Sequence, residues 1–464
     1  MYRKHKKIRK HNSLDPIAGT RGVIIRNKMS NTTIEIQQTN QLPAGYKQTA
    51  VGVIPEDWEV KRFDDIFEFH STNSFSRENL TDNETESKVK NIHYGDIHSK
   101  FKNGILNCKE EKLPFIKDEL LLNKNLNFVQ EGDLIIADAS EDYEGVGECV
   151  EVLNVGENKI VSGLHTFLAR DYSNETIIGF RNYIFKNQKV GIELKKIATG
   201  ISVYSISKTN LQKLLLPTPP LPEQQKIAEI LSTWDNAIDN CKKIIKKLKK
   251  RNKGLAQQLL SGKTRVKGFK DSWKMMELSE CLAYTPREID KPKESFLALG
   301  IRSHGKGVFH KPNFEPSAIA MEKLYEVKEN DLIVNITFAW EQAVAIISKE
   351  DEGGLVSHRF PTYTFKIDKA SPAFFRYFIL EKRFKFLLEL ISPGGAGRNR
   401  VMSKTDFLKL ELKLPSVQEQ NAIANILVNA TYELKQYEQK LANLQLQKKG
   451  LMQQLLTGKV RVKI

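Results

Sequence analysis

Few residues in this chain are of types and spacings that could do chemistry, and each group falls short of a reaction. Ser261-Gly262-Lys263-Thr264 has the ending of a phosphate-binding loop, where backbone amides wrap a phosphate and a hydroxyl meets magnesium. The earlier glycine of such a loop is replaced by Gln257, and the second copy, Gly458-Lys459-Val460, lacks the hydroxyl. A helix-ending glycine followed by basic residues is the better reading. Thr218-Pro219-Pro220-Leu221 misses the Asn/Asp-Pro-Pro-aromatic motif of amino-methyltransferases at both ends. It lacks the side chain that orients the target amine and the aromatic that stacks on a flipped base. No FxGxG-type cofactor loop and no Pro-Asp dipeptide occur, and the nine histidines form no HxxxH set. His93 and His98 read as loop surface or satisfied core. No catalytic residue and no metal site is expected.

What remains is chemistry of recognition. Pro393-Gly394-Gly395-Ala396-Gly397-Arg398-Asn399-Arg400, followed by Lys404, joins permissive backbone to guanidiniums and an amide. Arginine can read guanine bidentately and asparagine can read adenine. The matching stretch upstream is Thr199-Gly200-Ile201-Ser202-Val203-Tyr204-Ser205, followed by Lys208. It is less basic and suits hydroxyl and aromatic contacts. The candidate DNA-contacting residues are therefore Thr199, Gly200, Ser202, Tyr204, Ser205, Lys208, Gly395, Gly397, Arg398, Asn399, Arg400 and Lys404.

Both loops lead into segments that repeat. Glu223-Gln224-Gln225-Lys226-Ile227-Ala228-Glu229-Ile230-Leu231 recurs as Glu419-Gln420-Asn421-Ala422-Ile423-Ala424-Asn425-Ile426-Leu427. Gly254–Lys263 recurs as Gly450–Lys459, and Ser207-Lys208-Thr209 as Ser403-Lys404-Thr405, all at an offset of 196. Weaker echoes pair Glu131–Ile136 with Glu329–Val334 and Trp58 with Trp273. The chain thus reads as a variable domain and a near-constant segment, occurring twice.

The constant segments carry the apolar spacing of coiled-coil helices. Ile227, Leu231, Trp234, Ile238, Ile245 and Leu248 lie on the first seam, broken only at Asn252. Ile423, Leu427, Leu434, Leu441 and Leu444 lie on the second, broken at the equivalent Lys448. Prolines 219, 220, 222 and 415 mark the helix starts. A helix over Glu223–Leu260 would run roughly 57 Å at ~1.5 Å per residue. Because the two ends of a domain commonly lie together, the helices should pair antiparallel, with the variable domains at opposite ends of a rod and a pseudo-twofold relating them. The domains read as mixed α/β, with strands in Asp133–Ala137, Asp331–Ile336 and Tyr363–Ile367 and a helix over Phe374–Leu390.

The predicted layout is a basic, disordered extension over 1–44, a first domain over 45–218, a first helix over 219–265, a second domain over 266–413 and a second helix over 414–464. A second possible start stands at Met29. The net charge of +16 is uneven: +8 in residues 1–28, −7 in 51–218 and +7 in 219–265. A polyanionic partner fits that distribution, although solvated helix faces would also produce it. Four separated cysteines exclude a disulfide framework or zinc ribbon and fit a reducing cytoplasm. No run approaches the ~18 apolar residues of a membrane span.

The doubled Glu-Gln-x-x-Ile-Ala-x-Ile-Leu helix, the Gln-Gln-Leu-Leu-[Ser/Thr]-Gly-Lys ending and Ile54-Pro55-Glu56-Asp57-Trp58 resemble the specificity subunit of type I restriction-modification systems over about residues 45–464. The resemblance implies two target recognition domains, each reading one half of a split double-stranded DNA sequence. It implies helices that act as a ruler and dock two methyltransferase subunits, with restriction subunits joining them. S-adenosylmethionine, ATP and magnesium would then belong to those partners, and no cofactor to this chain. It places the DNA approach at 199–208 and 395–404. Tyr94-Gly95-Asp96-Ile97 resembles a recurring strand-turn of the family and is read as structural. The alternative is a coiled-coil scaffold whose two domains bind proteins.

Overall fold

The computed structural model describes residues 42–83, 87–101, 103–118, 126–394 and 400–464. Nearly all of the expected 1–44 extension lies outside them. The chain divides into two compact units, one running to Ile230 and including Leu451–Ile464, the other Leu231–Gly450. Each holds one mixed α/β domain, and the two long helices are Leu221–Leu260 and Val417–Leu455. Pro222 occupies the first turn of its helix, where its missing N–H costs nothing.

The first domain centres on a five-stranded sheet in the order Phe67–His70, Thr166–Asp171, Leu134–Ala137, Cys149–Leu153, Ile105–Asn107. Leu134–Ala137 is buried along its whole length, as an uninterrupted apolar run in a central strand should be. In the second domain the order Leu282–Tyr284, Thr362–Phe365, Leu332–Val334, Val344–Ile346 repeats the first four of those strands. The three strands expected from the sequence are present with shifted ends. The expected helix over Phe374–Leu390 is two helices, Pro372–Phe378 and Lys382–Leu390. The break follows from burial on both sides of it: Ile379 is in the core, and its carbonyl accepts from the buried Gln342 amide at 2.8 Å. Tyr94-Gly95-Asp96-Ile97 is likewise no strand-turn but the start of a helix, Tyr94–Ser99, capped by His93. The four cysteines are free and buried, with burial pushing Cys108 and Cys281 up to about 11 and Cys149 up to about 12.

Each domain closes on itself before its helix begins. Strand Glu59–Arg62 pairs antiparallel with Leu215–Thr218, and Lys274–Glu277 pairs with Glu411–Leu414. The chain therefore enters and leaves each domain side by side. The Glu-Gln pair of the repeat then binds domain and helix ends together. Gln224 is fully buried and donates to the carbonyls of Glu175 and Pro219, both at 2.8 Å, while accepting from Ile177 N at 3.1 Å. Gln420 makes the same three bonds with Lys369 O, Pro415 O and Ser371 N.

The neighbouring glutamates are buried too. Glu223 accepts from Trp58 Nε1 at 2.8 Å and from both Nε and Nη2 of Arg461 at 2.8 Å. Glu419 accepts from Trp273 Nε1 at 3.2 Å and from Nε and Nη2 of Arg265 at 2.7 Å. Each arginine stands just beyond the end of the other helix. The glycine of each Gly-Lys ending adopts φ of +71° (Gly262) or +66° (Gly458) and turns the chain onto the tryptophan. This is a helix-ending glycine, and the backbone there holds no phosphate-binding loop.

Within the unit Leu231–Gly450 the long helices run antiparallel. Arg251 meets Glu433 at 2.6 Å and Lys249 meets Glu438 at 2.8 Å. Both seam-breaking residues cross between the helices: Asn252 Nδ2 donates to Ala430 O at 2.7 Å, and Lys448 Nζ to Asp235 at 2.5 Å. Ile238, Ile245 and Leu248 of the first seam are buried here, and Trp234 is half-buried; Leu427 of the second is buried, whereas Leu434, Leu441 and Leu444 are half-buried. Replacing Arg461 with alanine leaves the Glu223 carboxylate in the interior with Trp58 as its remaining partner. The expected loss is about 1–3 kcal/mol, the range for stranding a buried hydrogen-bonding group. It should appear in urea unfolding as a lower midpoint with an unchanged slope.

Candidate nucleic-acid interface

In both domains the segment before the second constant motif passes the tip of the central strand and is pinned there. Ile206 N donates to Asp138 O and Met402 N to Ile336 O, each at 2.9 Å. The residues so gripped are held in turn by a neighbouring loop: Asp138 N donates to His165 O at 3.1 Å, and Ile336 N to Arg359 O at 3.0 Å. Next, Ser207 and Ser403 cap short helices, accepting from Asn210 N and Asp406 N. This is the local reason for a Ser-Lys-Thr motif, since serine at the cap satisfies a backbone donor that the helix cannot.

The caps set the two equivalent lysines on aromatic rings. Lys208 Nζ lies 5.4 Å from the centre of Phe69 and 5.7 Å from that of Phe167. Lys404 Nζ lies 5.3 Å from the centre of Tyr284 and donates to its hydroxyl at 3.3 Å. Arg400 stacks on Trp340 at 5.4 Å, and its buried Nε has no partner among the described residues. A cation seated on an aromatic keeps its charge while losing side-chain freedom, which suits it to meet a phosphate or a base edge.

The 199–205 loop is a small hairpin. Thr199 and Ser205 exchange both backbone hydrogen bonds, and Tyr204-Ser205 pairs with Ala139-Ser140. Tyr204 packs edge-on against Tyr143, whose hydroxyl donates to Lys195 O. Gly200 has φ of +130°, and a Cβ there would fall 2.0 Å from Val203 O, so only glycine fits. Ser202 is exposed at the tip beside Ile201, which is 94% exposed. Thus Thr199, Gly200, Ser202, Tyr204, Ser205 and Lys208 share one rim, and Arg400 and Lys404 share another. Gly395, Gly397, Arg398 and Asn399 lie outside the described residues.

Sequence reasoning missed the aromatic seats and the strand-tip residues. One signal was available: Phe69 and Tyr284 each stand eleven residues after the paired tryptophans, Trp58 and Trp273. Asp138 and His165 line a cleft of about 450 Å³ in the first domain, together with Lys208, Asn73 and Phe167. The Asp138 and His165 side chains meet at 3.2 Å, and burial pushes the Asp138 carboxyl up while His165 counters it. Burial lowers the pKa of His93, and the hydrogen bond that His98 donates to the Glu148 carboxylate raises that of His98. No group of three or more candidate metal ligands occurs among the described residues.

The family model for the type I restriction modification DNA specificity domain matches residues 55–250 and 271–445. Among curated proteins, the MjaX specificity subunit of a type I restriction enzyme from Methanocaldococcus jannaschii is 26% identical over 441 residues, covering 90% of this chain and 97% of that one. The MjaVIII specificity subunit of the same organism is 26% identical over 435 residues, covering 88% and 94%. The solved structure of a type I restriction-modification system S subunit from M. genitalium shares the fold, with a TM-score of 0.51, 13% identity and coverage of 88% and 96%. With matches over most of both halves, the chain belongs to the type I restriction modification DNA specificity domain family.

Proposed function

We propose that this chain is the non-catalytic DNA-recognition subunit of a type I restriction-modification complex. Each α/β domain reads one half of a bipartite duplex target, and the length of the helices sets the spacer between the half-sites. The helices dock two methyltransferase subunits, which restriction subunits join. S-adenosylmethionine, ATP and magnesium act on those partners, and the complex works in the cytoplasm. No helix among the described residues is long and apolar enough to cross a membrane.

The observation that carries this reading is the doubled rim. The hydrogen-bonded frame at Asp138/Ile206 and Ile336/Met402 is the same in both domains, whereas the side chains it presents differ. A fixed frame with exchangeable side chains is what two independent readers of different sequences require. The scaffold reading offers no reason for cations seated on aromatics at equivalent places.

Two outcomes test it. Replacing 268–412 with the corresponding domain of a relative should change one half of the methylated sequence and leave the other unchanged, as read by a methylome of cells carrying the swap. Changes in both halves together would contradict independent reading. Separately, Lys404→Ala should weaken binding to all sequences alike and lower the slope of log affinity against log salt by about 1, as loss of one phosphate contact does. Arg400→Ala should instead relax one base position, at a cost of about 1–3 kcal/mol for a base-reading arginine.

A further inference from the structure

The strand-tip position of the first domain holds an acid where the second domain holds an apolar residue. Asp138 occupies the place of Ile336, and His165 that of Arg359, within identical backbone bonds. The Asp138 backbone is fixed on both sides, by His165 O and by Ile206 N. Its Oδ1 faces His165 Nδ1 at 3.2 Å, and its Oδ2 has no partner among the described residues. The side chain is 25% exposed, so it is reachable from the cleft without being free in solvent. His165 itself has φ of +55°, a left-handed conformation that a residue with a side chain adopts at a cost. Gly163, two residues earlier, leaves no room for a Cβ, which would lie 2.5 Å from Asn91 Nδ2 and 2.7 Å from Ile92 O. The loop is therefore built to hold His165 against Asp138.

A carboxylate at this rim cannot serve a phosphate, which it repels. It only accepts hydrogen bonds, so it needs a donor. In the major groove the base donors are the N4 amine of cytosine and the N6 amine of adenine. Adenine places the N7 acceptor beside its amine, and an acceptor-only side chain would face that lone pair. Cytosine has no acceptor beside N4 on that edge. We propose that Asp138, oriented by His165, reads a cytosine in the half-site of the first domain, with Oδ2 accepting from the N4 amine. Lys208, on its aromatic seat at the same cleft, supplies the sequence-independent contact. In the second domain the corresponding Ile336 is buried in the hydrophobic core, so that position offers no acceptor.

This inference rests on the proposed function, and one experiment separates the two. The full chain, assembled with its methyltransferase subunits, is given a library of duplexes carrying every single-base change in both half-sites. Methylated products are then sequenced. For Asp138→Ala, discrimination at one cytosine of one half-site should fall by roughly 5- to 150-fold, and Asp138→Asn, whose amide both accepts and donates, should admit adenine at that same position. All other positions and the salt dependence should stay unchanged. His165→Ala should relax the same position to a smaller degree, as a positioning residue would. Unchanged preferences in the Asp138 variants, equal losses on every sequence, or relaxation at a base other than cytosine would overturn the role of Asp138 and leave the proposed function standing. A wild-type assembly with no bipartite preference would overturn the proposed function, and this inference with it.

Discussion

Burying a carboxylate costs several kcal/mol unless a cation and hydrogen bonds compensate it, and the buried carboxylates that tie this chain together are a repeated pair. Glu223 and Glu419 stand at the starts of the two long helices, each claimed by a tryptophan of its own domain and by an arginine from beyond the other helix. Neither carboxylate is satisfied by its own helix. The start of each long helix, the edge of its domain and the end of the other helix therefore come together, which requires the helices to run antiparallel. The adjacent Gln224 and Gln420 extend that grip to the domain backbone. A Glu-Gln pair repeated without gaps is thus a joint, and everything the variable domains present is positioned from it.

That joint leaves the rims free to differ. The strand-tip frame and the capped lysine are defined by backbone hydrogen bonds and one serine, which tolerate many neighbours. Asp138 and Ile336 occupy the same frame with opposite chemistry, one facing the cleft and the other in the hydrophobic core, so the frame does not dictate the residue it holds. The first domain is acidic overall, at −7 for residues 51–218, and still seats a lysine on two phenylalanine rings. Local placement of charge at the rim, and not net charge, sets what that surface can meet.

The repeat and both helices were legible in the sequence because they rest on short-range rules: seam spacing, proline starts and glycine ends. The strands were legible too, since Leu134–Ala137 and Leu332–Val334 are apolar runs that must be central. The break at Ile379 was not, because it depends on Gln342, distant in sequence. The rim residues were half legible. Ser207-Lys208 and Ser403-Lys404 repeat in the sequence, whereas Asp138, His165, Phe69 and Tyr284 differ between the copies or gain meaning only when strands bring them together. Asn252 and Lys448 looked like flaws in a seam, yet each makes a polar bond across to the other helix.

On the proposed function, the length of the two long helices sets the spacer between the half-sites. Inserting one heptad into each helix keeps both seams in phase and adds ~10 Å at ~1.5 Å per residue, which is about three base pairs of duplex. The direct measurement is the methylation of targets whose spacer varies one base pair at a time, by the lengthened chain assembled with its partner subunits. Both half-sites should stay the same while the preferred spacer grows by about three base pairs. Continued activity on the original spacer, with rejection of longer ones, would contradict the setting of the spacer by helix length.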